Sequence, residues 1–149
     1  VSTIAQARDA IMGMLRTGLL ASPTTSALLV VWDDVEGDRP GHNAQGSPVT
    51  YLRATLRHLT SETETIGRGP GLGKEEHQGI VVVQVFTPRG KGYAEGDTIA
   101  QVVKRIFQRQ RIPGVDGWFF EVTANEVPAI GPWAQINVSA PFRYSETVG

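Results

Sequence analysis

"GIVVVQVFTPRGKGYAEGDTIAQVVKRIF", residues 79–107, changes its period half-way along. Its first ten residues are dominated by β-branched side chains, which fit a pleated, packed backbone, and they read as a strand ending at Pro88. After the turn "RGKGYAEG", Ile99, Val102, Val103, Ile106 and Phe107 recur at helical spacing and form one apolar stripe. Gln101, Lys104, Arg105 and Gln108 fall on the opposite face. Asp97 is the expected N-cap and Pro113-Gly114 the expected stop.

Working outward, "VTYLRATLRHL", 49–59, alternates: Leu52, Ala54 and Leu56 point one way, Tyr51, Arg53, Thr55 and Arg57 the other. That is a strand with one buried face. "ALLVVW", 27–32, reads as another. Ahead of it, Ile4, Ala7, Ile11, Met14, Leu15, Gly18 and Leu19 share one helical face behind a Ser2 N-cap, with Arg8 near its edge and Pro23 as the stop. At the other end, "DGWFFEVTANEVP" and "PWAQINVSAPFRY" read as two strands joined through "AIGP". The order is α-β-β-β-α-β-β. This predicts an α+β single domain over 1–149, with a mostly antiparallel sheet and two main helices packed on one face. Long loops are expected at about 33–48 and 62–78.

Composition narrows the function classes. The chain has 149 residues, enough for one domain with a genuine core. Hydrophobic content of 40% and charged content of 19% are those of a globular protein. Fourteen basic against fifteen acidic residues, net charge -1, argue against nucleic acid as the main partner. The absence of cysteine excludes disulfides and thiolate metal sites. No apolar run reaches the ~20 residues of a membrane span. Asp9 and Arg16 interrupt the apolar start, which favours an amphipathic helix over a signal peptide.

The glycine-rich run "IGRGPGLGKEEHQG", 66–79, raises the question of a phosphate site. A P-loop would need glycine where Arg68 stands and a hydroxyl where Glu75 stands. The dinucleotide pattern fails at Leu72 and again at Lys74. Both motifs require a helix next, whereas a strand follows. The run is read as a flexible loop between two strands.

Other constellations are equally incomplete. His42, His58 and His77 lie in different elements without metal-binding spacing, so no metal site is expected. The acidic group Asp33, Asp34, Glu36 and Asp38 has Arg39 where an EF-hand needs glycine. Asp33/Asp34 and Glu75/Glu76 are neighbours that point to opposite sides of an extended chain. There is no G-x-S-x-G elbow. Lys104, Arg105, Arg109 and Arg111 make a basic helix end, which the helix dipole alone favours and which an acidic partner would also suit. Trp32, Trp118, Trp133 and Phe142 suit the core, and Trp32 and Trp133 also abut turns where they could anchor an interface.

Two stretches carry a resemblance. "QGIVVVQVFTPRGKGYAEGDTIAQVVKRIF", 78–107, and "GPWAQINVSAPFRY", 131–144, resemble the tail terminator proteins of long-tailed bacteriophages and related particles. With the 49–59 strand and the first helix, the likeness covers most of the chain outside 33–48. Neck proteins that close the head are built on comparable domains and form the near alternative. The resemblance implies a virion protein that caps the tail tube as a six-fold ring, ends polymerisation and offers a surface to the head. It implies no catalytic residue and no cofactor. The implied partners are other copies of the chain, the tail-tube protein and a head-closure or neck protein, with DNA as a passing contact in the lumen and no membrane. Expected interface residues are Trp32, Asp33, Asp34, Arg68, Lys74, Glu75, Glu76, Lys104, Arg105 and Arg109. Readings from other classes are a metal-dependent nuclease using Asp33, Asp34 and His42, and a monomeric peptide- or sugar-binding module.

Overall fold

The computed structural model describes residues 4–32, 49–65, 73–90 and 93–148. Its elements are α1 (Ile4–Ala21), β1 (Leu29–Trp32), β2 (Tyr51–Thr65), β3 (Gly73–Pro88), α2 (Ala94–Phe107), β4 (Asp116–Phe119), β5 (Thr123–Ile130) and β6 (Trp133–Val148). The sheet order is β1-β2-β3-β6-β4, with β5 also paired to β6. Among the described strands only β1 and β2 run parallel. Because β4 pairs with residues 142–145 of β6 and β5 with residues 133–139, β4 and β5 lie end to end along one edge. The fold is α+β with a mostly antiparallel sheet.

The register explains the core. Leu52, Val85 and Ile136 face one another across β2, β3 and β6, as do Ala54, Val83 and Val138, then Leu56, Val81 and Ala140. All nine are buried, and α1 and α2 cover that face with Ala7, Ile11, Leu15, Ile99, Val103 and Phe107. Each large side chain so buried is worth about 1.5–3 kcal/mol. The helical stripes are therefore those expected from periodicity, although Ile4 stays 43% exposed. Gly18 permits close packing of the helices, since a Cβ there would lie 2.5 Å from Cγ1 of Ile106 on α2.

Several expected boundaries are corrected. Asp97 does not cap α2: its N–H already donates to the Tyr93 carbonyl at 2.8 Å, so it sits inside the first turn with Glu95, where both acids suit the dipole. The helix stops at Phe107, ahead of Pro113-Gly114, and Arg109 turns the chain at φ 54°. Ser2 lies outside the described residues.

The loop expected over 62–78 is largely strand, with β2 reaching Thr65 and β3 starting at Gly73. Glycine and charge suggested a loop, but β3 is flanked by β2 and β6. Its backbone groups therefore find partners on both sides whatever the side chains are. A register shift between His58 and Thr60 marks the passage from the apolar half of β2 to its polar half.

The single strand expected over 116–128 is divided into β4 and β5 by residues 120–122. Pro141 on β6 supplies the reason. Its carbonyl accepts from Phe120 N–H at 3.0 Å, so its missing N–H lies on the same side, and no antiparallel pair can form there. Gln108 Oε1 instead accepts from Val122 N–H at 2.7 Å before β5 rejoins the ladder at Thr123.

Candidate assembly surface

The two edges of the sheet differ in sequence but share a character. At one edge β1 presents Leu29, 54% exposed, beside Leu20 at the end of α1, 63% exposed. These two border a cleft with Leu19, Leu28 and Trp32, and the Arg16 guanidinium lies 5.1 Å from the Trp32 ring centroid. Four residues of β1 cover only the start of β2, so this edge is short and apolar.

At the other edge Trp118 and Phe120 stand out from the β4 end, each 41% exposed, with their rings 6.2 Å apart in an edge-on arrangement. Arg143, opposite Trp118 in the register, places its guanidinium 5.4 Å from the indole centroid. Arg109, Arg111 and Glu121 border the same hollow. Arg109 contacts Glu121 at 3.3 Å with both side chains well exposed. The hydrogen bond from Arg109, then that from Gln108, holds the Glu121 carboxyl below its usual range. Such solvated pairs contribute little to folding, so this ion pair chiefly sets the charge pattern of the rim.

The Gly73–Val148 end of the sheet carries a polar network. On the outer face Arg143 meets Glu76 at 2.8 Å, and Gln78 donates to the same carboxylate at 2.8 Å. On the helix-side face, His58 Nε2 lies 2.7 Å from the Tyr144 hydroxyl, His77 Nδ1 2.7 Å from Ser61 Oγ, and His77 Nε2 2.7 Å from Glu146 Oε2. His77 stacks on Tyr144 with ring centroids 5.0 Å apart. Burial, then the Glu146 charge, pushes the Tyr144 phenol up to about 12, so it remains a hydrogen-bond donor at neutral pH. Burial, then the charges of Arg8 and His77, holds His58 below the usual imidazole value.

Expected site residues are distributed as follows. Trp32 ends β1, half-buried. Lys74, Glu75 and Glu76 lie on β3, and Glu75 and Glu76 do point to opposite sides, towards His77 and Arg143 respectively. Lys104 and Arg105 lie on α2, and Arg109 follows it. Asp33, Asp34, Arg68 and His42 lie outside the described residues. Sequence reasoning missed the exposure of Trp118 and Phe120. The adjacent aromatics in "GWFFEV" were the available signal, because neighbours on a strand alternate and Trp118 and Phe120 must share the face opposite Phe119. It also missed that β2–β3 pairing brings His58 and His77 within 6.3 Å of each other.

Residues 7–139 match the family described as phage tail terminator protein. The chain belongs to that family. This tail terminator relative is thus a structural protein of the virion tail. No curated protein sequence matches the chain. One solved structure superposes with TM-score 0.70 at 15% identity, over 97% of this chain and 96% of its own. Another, from the virion of a native gene transfer agent (GTA) particle, gives TM-score 0.54 at 18% identity, over 97% and 100%. At these identities the two show a shared fold. Among the described residues, no helix is long and apolar enough to cross a membrane.

Proposed function

We propose that this tail terminator closes the neck end of the tail tube as a ring of six copies, ends tube polymerisation and presents the surface that the head joins. The family match over 7–139 carries this reading. The two sheet edges support it. A ring needs head-to-tail contacts between unlike surfaces, and the β1 edge, with exposed Leu20 and Leu29 beside Trp32, is unlike the edge that exposes Trp118 and Phe120 within a charged rim. With net charge -1, little long-range repulsion opposes association.

In this reading the tail-tube protein meets one face of the ring and a head-closure or neck protein the other. DNA passes through the lumen, no cofactor takes part and the protein catalyses no reaction. Trp32 sits in the ring contact. Lys74, Glu75 and Glu76 at the β3 end, Lys104, Arg105 and Arg109 around α2, and Asp33, Asp34 and Arg68 supply the polar contacts to copies and partners. Deleting the gene and imaging the particles tests the proposal. Tails of uncontrolled length, unattached to filled heads, are the expected outcome; tails of normal length joined to heads would refute it.

A further inference from the structure

We infer that Glu75, His77 and Glu146 form a binding site for a divalent transition metal of the zinc class, clamping β3 to β6. Glu75 and His77 are two apart on β3 and so share a face, and Glu146 is the register partner of Glu75 on β6. One ligand atom from each lies within 4.8 Å of the others. His77 is 3% exposed, and Glu75 and Glu146 are half-buried, so this is not a solvated acidic patch.

Three features favour a metal. Like charges directly opposite each other on neighbouring strands destabilise a sheet, and the Glu75–Glu146 pair places two carboxylates in that arrangement. A cation between them converts the repulsion into ligation. The donor set, one imidazole and two carboxylates, suits zinc-class ions and leaves a fourth position for water, whereas magnesium and calcium demand more oxygens than the cluster offers. The third feature is Ser61, whose Oγ lies 2.7 Å from His77 Nδ1. A hydroxyl both donates and accepts. Without metal, Nε2–H donates to Glu146 and the Ser61 hydroxyl donates to Nδ1. With metal, the Nε2 lone pair becomes a ligand, the ring proton moves to Nδ1, and Ser61 Oγ accepts it, as metal-bound imidazoles require of their other nitrogen.

The adjustment is small. Ligand atoms around a tetrahedral ion with bonds of about 2.0–2.1 Å stand roughly 3.3 Å apart. The 2.7 Å contact between His77 and Glu146 must therefore open, and the widest separation, at most 4.8 Å, must close. Rotation of the two glutamate side chains supplies both movements. The site does not depend on the tail assignment. Its ligands come from two strands and a cross-strand pair, which is why linear spacing of histidines does not reveal it.

The test is calorimetric titration of the full chain with Zn²⁺ in a non-chelating buffer, with Mg²⁺ in excess. One saturable site per chain is expected, with Co²⁺ giving the visible absorption of a four-coordinate complex. His77→Gln and Glu146→Gln should abolish it, while Ser61→Ala, at an exposed position, should weaken it about ten- to a hundredfold by freeing the ring. His42→Gln should bind as the unaltered chain does. Thermal melts without metal establish that each variant is folded. The inference is overturned by the absence of a saturable site, by binding that survives in folded Glu146→Gln, or by binding that His42→Gln removes.

Discussion

Gly117 on β4 and Gly79 on β3 pack beside the Phe142–Tyr144 segment of β6. A Cβ at Gly117 would collide with the Arg143 carbonyl and with Tyr144, and one at Gly79 with the Arg57 carbonyl and the Phe142 ring. Neither residue has a positive φ, so space rather than conformation requires glycine at both. Gly117→Ala should therefore cost on the order of 1–3 kcal/mol, because backbone must move to admit the methyl, and urea unfolding measures it. A second expectation concerns pH. Burial, then Arg8 and His77, keeps the folded-state His58 pKa below the usual 6.5. As pH falls through 6.5 the unfolded chain takes up this proton first, so stability present above 6.5 is lost progressively below it. Urea midpoints should fall between about pH 7.5 and about pH 5.5, and the part due to His58 should vanish in His58→Gln. Little of this scale was legible in the chain itself: "EEHQG" shows Glu75 and His77 on one strand face, but their meeting with Glu146 and Tyr144 depends on a register set about seventy residues away.

At the scale of elements, the change of period within 79–107 was legible because burial on one face writes the same periodicity that the fold uses. The strand half alternates at 81, 83 and 85, and the helix half buries 99, 103 and 107. What escaped was structure imposed by neighbours. β2 and β3 continue through polar sequence because paired backbone does not need apolar side chains, and β4 parts from β5 because a proline on another strand withholds a donor. Amides of 74–78 should accordingly be protected from hydrogen exchange in the isolated subunit, to a degree approaching that of 81–85. Rapid exchange there, comparable with that of a surface loop, would show that this end of the ladder forms only on assembly.

At the scale of the whole molecule, the fold class and the family were both within reach of the sequence, and the surface was not. The helix-covered face uses up the periodic residues, so what remains for partners is the two edges, the polar end around Glu76 and Arg143, and the outer sheet face. Which aromatics stay exposed depends on where strands stop: Trp118 lies one residue before β4 ends, whereas Trp133 is half-buried against Tyr51 on the outer sheet face, ring centroids 5.1 Å apart. Two unlike apolar edges on one small domain are a liability in a monomer and are satisfied in a closed ring, whose contacts should each bury about 1,000 Å² or more if it is stable alone. The most direct test is electron microscopy of purified tail tubes incubated with this protein. Six-fold density confined to one end of each tube, and absent when Trp118→Ala and Phe120→Ala are combined in a folded subunit, is the predicted result; subunits bound along the tube wall, or bare tube ends at saturating protein, would contradict it.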